Sequence, residues 1–201
     1  MSTTTLLQVA LFSQSFFGEG IALYIVVFER LKNAIIERIY DFYTTGFDED
    51  GDIVDPDYET KVLSRNSSPV YASLDWLLEN NAISSHDIDL FDQIKKLRNS
   101  IAHEIDKMMI DGLPTELPES FNDMANLLDK IENWWIVNVE IPTDPDFARG
   151  DIEKDEDRII PGSIASLKMM VDIALGTDEE AEYYINEFRR LGLLGPNPGS
   201  S

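Results

Sequence analysis

The chain has 201 residues, 43% of them apolar and 10% aromatic, which suits one well-buried domain and not a disordered polymer. It contains no cysteine, so disulfides, thiolate metal sites and cysteine nucleophiles are excluded, and a cytoplasmic setting is the natural expectation. Its 16 basic side chains against 38 acidic ones give a net charge of −22. A field of that sign repels nucleic acid at long range, so any RNA or DNA contact needs a local basic site or a partner.

Residues Thr3 to Tyr43 read as one or two long helices, with Gly18 and Gly20 as the expected break. The apolar run from Leu6 to Phe28 lacks a basic leader, and Gln8, Ser13, Gln14, Ser15 and Glu19 interrupt it; a buried helix is expected, not a membrane span. Further on, Ile21, Tyr24, Ile25, Phe28, Leu31, Ile35, Ile36 and Ile39 recur at three-and-four spacing, the pattern of a core-facing stripe.

An acidic loop follows. Asp48, Asp50, Asp52 and Glu59 imitate positions one, three, five and twelve of a calcium-binding loop. Position six must turn sharply and needs glycine, yet it is Ile53, while Asp55 and Pro56 occupy eight and nine. A surface loop with a short hairpin at Asp50-Gly51 is therefore favoured over a cation site.

Ser68 before Pro69 starts a helix that runs to about Asn81. Ser84 or Ser85 caps a longer one, with Asp87 placed for a capping box and apolar positions from Ile88 through Ile101 and Ile105 to Met108. His86, at its start, reads as a surface residue. After the linker DGLPTELPES, a helix from roughly Glu119 to Val137 ends in Trp134-Trp135, which cannot both face the core. One of them is thus free for an interface.

These elements give an all-α fold, an antiparallel helical bundle over residues 1–140. An exposed acidic excursion is expected over 141–162, and a C-terminal helical extension over 163–201 packs on the bundle. In the extension, Thr177 with Glu180 forms a capping box and Gly192 a stop.

The stretch IKKLRNSIAHE, Ile94 to Glu104, falls in the middle of the long helix expected from Ser84. Residues five apart on a helix differ by about 140° in direction, so Arg98 and His103 do not share a face. Asn99 and His103, at i and i+4, do. Lys95, Lys96, Arg98 and Lys107 against Glu104 and Asp106 make a basic island in an acidic chain.

This motif resembles that of the HEPN superfamily: arginine, a polar residue, then histidine after a few more positions, here Arg98, Asn99 and His103. The resemblance covers that motif and an all-α context over about residues 10 to 140. It implies a HEPN-like bundle and metal-independent cleavage of RNA at a composite site across a homodimer, with no cofactor. Histidine would take the proton of a ribose 2′-hydroxyl and the guanidinium would stabilise the charge gathering on phosphorus, leaving 2′,3′-cyclic phosphate ends. Asn99 would orient His103 or hold a phosphate oxygen, and Lys95, Lys96 and Lys107 would serve RNA binding. Members of toxin type pair with an antitoxin or other regulatory protein. Some carry a tyrosine two residues after the histidine as the target of neutralisation; here that position is Ile105. Two alternatives stand beside this reading: a catalytically inactive HEPN-like module that binds nucleotide or protein, and an acidic neutralising or decoy protein.

Overall fold

A computed structural model describes residues 17–143 and 161–175. The fold is all-α, with one small hairpin beside the helices. Helix α1 spans Phe17–Tyr43. The hairpin β1 (Thr44–Asp48) and β2 (Gly51–Val54) follows, then short helix α2 (Asp57–Lys61) and a 3-10 turn at Leu63–Arg65. Helices α3 (Pro69–Glu79), α4 (Ser85–His103), α5 (Ile105–Asp111) and α6 (Leu117–Trp135) complete the main bundle. A π turn, Ile136–Glu140, prolongs α6 into the single turn α7 (Ile141–Thr143), and α8 covers Gly162–Leu175.

Helix α1 is the spine. Tyr24, Val27, Leu31, Ile35 and Ile39 recur every three or four residues and are fully or almost fully withdrawn from solvent, so one face of the helix is continuously apolar. That face packs on α3, α4, α6 and α8, and the α1–α6 pairing is the most extensive between helices. Helix α6 answers with its own stripe: Leu117, Phe121, Met124, Leu128, Ile131 and Trp135 are all buried. Each such side chain contributes roughly 1.5–3 kcal/mol on burial, far more than any surface pair.

Gly18 and Gly20 lie inside α1 and do not separate two helices. The residues before Phe17, which hold about half of the apolar Leu6–Phe28 run, fall outside the described residues, as do 144–160, most of the expected acidic excursion. The Thr177, Glu180 and Gly192 signals of the C-terminal extension also fall outside. Among the described residues no helix is long and apolar enough to cross a membrane. Leu167 of α8 is buried in the common core, with Ile164 and Met170 packed against it.

Polar contacts fix the helix ends and crossings. Helix α3 stops in a Schellman motif: the Ala82 amide donates to the Leu77 carbonyl at 2.9 Å and the Asn81 amide to Leu78 at 3.1 Å. Asn81 sits at φ 58°, the left-handed conformation that asparagine tolerates better than most residues. At the start of α4, Asp87 accepts the Ser84 amide at 2.7 Å and the Ser84 hydroxyl at 2.7 Å, and it also receives Lys130 from α6. Arg38 of α1 is clasped by Glu132 of α6 and, at 2.9 Å, by Glu140.

The acidic segment forms an antiparallel hairpin in which Asp48 faces Gly51 across a two-residue turn. Asp48 caps that turn by accepting the Asp50 amide at 2.8 Å, and Gly51 adopts φ 125°, which side-chain-bearing residues rarely do. The segment thus spends Asp48 on turn geometry, while Asp52 accepts from the Tyr40 hydroxyl at 3.4 Å and Glu59 departs onto α2. Among the described residues, no group of three or more acidic or histidine side chains is placed to hold a metal ion.

Burial works against ionisation of Asp87, but the bonds from Lys130 and Ser84 outweigh it and hold the carboxyl below its ordinary value. A depressed folded-state value means that Asp87 stabilises the fold above the ordinary carboxylate range, and that the contribution fades as pH falls through the lowered value. Asp87→Asn is therefore expected to lose about 1 kcal/mol in urea unfolding at pH 7, a typical cap value, and the difference from wild type should shrink toward pH 3.

Candidate functional site

The Arg98–His103 stretch occupies the last turn and a half of α4, not the middle of a longer helix. The chain leaves helical geometry at Glu104, with φ −118° and ψ 22°. A continuous helix would bury Ile105 between Ile101 and Met108; instead Ile101 and Met108 are buried and Ile105 is 42% exposed. The turn at Glu104 thus shifts the phase of the apolar stripe and leaves His103 exposed at a helix end.

Arg98 points the other way, toward α1. Its guanidinium carbon lies 5.5 Å from the centre of the Phe28 ring, and Nη2 donates to Glu29 at 3.3 Å. Its Nε is buried without a hydrogen-bond partner. The ring beneath it belongs to a run of packed aromatics, Phe28 stacked on Phe91 at 6.1 Å and Phe91 edge-on to Tyr71 at 6.3 Å. Arg98 is thus anchored in the α1–α4 seam, half-buried, with Nη2 bonded to Glu29 and the buried Nε unpaired. Asn99 is exposed and lies on the same side of α4 as His103, one turn earlier.

The lysines do not converge. Lys95 turns to α3, where Nζ lies 4.6 Å from the Tyr71 ring centre and 3.3 Å from its hydroxyl; that hydroxyl donates to Asp92. Lys96 and Ser100 line a groove of about 800 Å3 between α4 and α6. Lys107, on α5, stands 3.9 Å from Glu104. The basic island of the sequence is therefore distributed over three directions.

The α4–α6 groove holds groups that sequence reasoning did not bring together. His86 and Lys96 face Glu116, Glu119 and Asp123 across it. Burial, with Glu119 adding to it, pushes the Asp123 carboxyl above its ordinary value, and His86 draws it partly back. Under its floor, the buried Tyr24 hydroxyl of α1 pairs with Ser120 at 2.7 Å. Helical spacing within α6 relates Glu119 to Asp123, but only the fold brings His86 and Lys96 opposite them.

The chain matches no family model, no curated protein and no solved structure at a significant level.

The raised Asp123 value has a definite sign. A carboxyl whose folded-state value exceeds its unfolded one costs stability at neutral pH, and the cost disappears as pH falls below the ordinary carboxylate value. Asp123→Asn should therefore unfold at a higher temperature than wild type at pH 7, with the advantage vanishing near pH 3 in a thermal melt series.

Proposed function

We propose that the protein is a metal-independent endoribonuclease of HEPN type that acts as a homodimer. The reading rests on Arg98, Asn99 and His103 at the exposed end of one helix in an all-α bundle, with the guanidinium already braced and the imidazole open to solvent. In this mechanism His103 takes the proton from a ribose 2′-hydroxyl, whose oxygen then attacks the adjacent phosphorus. The bond from phosphorus to the 5′-oxygen breaks, and that oxygen leaves with a proton returned by an imidazole. Arg98, through the part of its fork that Glu29 does not use, stabilises the added negative charge.

Arg98 and His103 are about 7.5 Å apart along the helix axis and point in different directions. One chain therefore does not close a pocket around a phosphate, which supports a site built from two copies. Beside His103, Ile105 is 42%, Met109 65% and Ile110 83% exposed, an apolar patch fit to receive the second copy. RNA is the substrate class, reached at this local site against the general acidity of the chain, and an antitoxin-like or other regulatory protein belongs to the same reading.

A second reading follows from the Glu29 contact. If the guanidinium serves only to tie α4 to α1, the protein is an inactive HEPN-like binding module. The two readings separate on chemistry. Purified wild type with chelator present is expected to cut single-stranded RNA to 2′,3′-cyclic phosphate ends. His103→Ala should lower the rate by about a hundredfold or more, and Arg98→Lys, which keeps the charge but loses the fork, should do likewise. Met109→Glu should convert a dimer to a monomer in light scattering and abolish cleavage. RNA left intact by a dimeric wild type would favour the binding module.

A further inference from the structure

Between Arg38 and Lys61 the chain carries no basic residue, and the hairpin of β1 and β2 lies in the middle of that stretch. The two flanking cations are engaged elsewhere, Arg38 with Glu132 and Glu140 and Lys61 with Asp57 at 2.6 Å. Asp48, Glu49, Asp50 and Asp52 are all exposed on the hairpin. Among the described residues none of the four has a cation within ion-pair distance. Beside them Phe47 is 86% exposed, more than any other large apolar side chain among the described residues, and Ile53 is 46% exposed.

The hairpin is nevertheless well fixed. Asp48 closes its tip on the Asp50 amide, and Thr45 Oγ1 donates to the Ile53 carbonyl at 3.0 Å. At its base the Asp55 amide donates to the Tyr43 carbonyl at 2.8 Å. A connection that only led from α1 to α2 would need none of this, since a polar turn would serve. An aromatic ring beside the tip gains nothing in water. Phe47 stands there as an anchor without its pocket.

The sheet has two strands, so both are edges. Asp48 and Gly51 close the two-residue turn, and by the alternation of an antiparallel ladder the next pair, Phe47 and Asp52, points its amide and carbonyl groups outward. Charge decides which further strand fits there. A second copy would bring four uncompensated carboxylates against four, and like charges across a strand pair repel. A strand of opposite sign meets attraction at the same positions, so the edge rejects its own kind and favours a basic one. Main-chain bonds then supply the pairing and alternate side chains the specificity.

We propose that the hairpin is a docking edge for a basic protein partner, which adds a lysine- or arginine-bearing strand alongside β1 and covers Phe47 with an apolar side chain. The inference does not rest on the ribonuclease reading and survives its failure.

Titration calorimetry on the full chain tests it with three capped seven-residue peptides. In the first, four lysines alternate with valine, phenylalanine and valine. The second has glutamate for lysine; the third has proline for valine, which keeps the charge but removes strand donors. The first should bind, the glutamate peptide should not, and the proline peptide should bind about tenfold more weakly than the first. Phe47→Ser should lower affinity for the first peptide by about tenfold, the scale of one aromatic side chain returned to water, with helical content and melting temperature unchanged. Glu49→Gln with Asp50→Asn should lower it about fivefold. Glu116→Gln with Glu119→Gln, which removes the same charge from α6, should leave it as it was. The proposal is overturned if the first peptide does not bind at millimolar concentration or if the proline peptide binds equally well. It is overturned as well if Phe47→Ser changes nothing, or if the α6 pair weakens binding as much as the hairpin pair.

Discussion

The described helical bundle depends on the apolar face of α1. Tyr24, Val27, Leu31, Ile35 and Ile39 leave the solvent together, and α3, α4, α6 and α8 are held by packing on that one helix. Hydrophobic burial has no direction of its own, so packing alone would allow neighbours to slide along or rotate around the spine. Directional contacts remove that freedom at three heights: Arg98 to Glu29 sets α4, Tyr24 to Ser120 sets the first turn of α6, and Arg38 to Glu132 sets its far end. Each joins a polar group on or beside the spine to one partner helix. The Arg98–His103 stretch inherits its position from this arrangement.

Legibility in the sequence followed the range of the interactions. The α1 stripe, the Ser84–Asp87 cap and the turn at Asp50-Gly51 are local, and three-and-four spacing or turn chemistry discloses them. The same locality explains the rejection of a calcium loop, because one wrong residue at Ile53 spoils the required turn. The break at Glu104 was not legible: it involves neither glycine nor proline, and Ile101, Ile105 and Met108 keep perfect helical spacing across it. Only the exposure of Ile105 reveals the change of phase.

Tertiary pairings were hidden for a different reason. Glu29 is an ordinary acidic residue on a helix until α4 lays Arg98 against it. The basic island from Lys95 to Lys107 looked unified because sequence counts charge along a line, whereas successive helix positions point about 100° apart. Lys95 and Lys96 therefore serve opposite neighbours, Tyr71 on one side and the α4–α6 groove on the other. The Trp134-Trp135 pair was legible as a problem, since one ring had to be left out of the core. Its answer, Trp76 and Phe42 arriving from far away in the chain, was not.

The π turn after α6 ties two distant matters together. Glu132 and Glu140 both clasp Arg38 although they are eight residues apart, and on a regular α-helix that spacing would leave them about 80° out of phase. The wider turn, closed by the Ile141 amide on the Ile136 carbonyl, rotates less per residue and brings Glu140 back to the same side. Asn138 and Val139 ride on that slack and line a hollow together with Trp76 and Trp134. A deletion of one residue between Ile136 and Glu140 would restore an ordinary helix and leave Glu140 seven residues from Glu132, within about 20° of it, so that the clasp on Arg38 is kept. The extra residue and the widened turn thus cancel, and an eight-residue spacing serves the clasp as seven would on a regular helix.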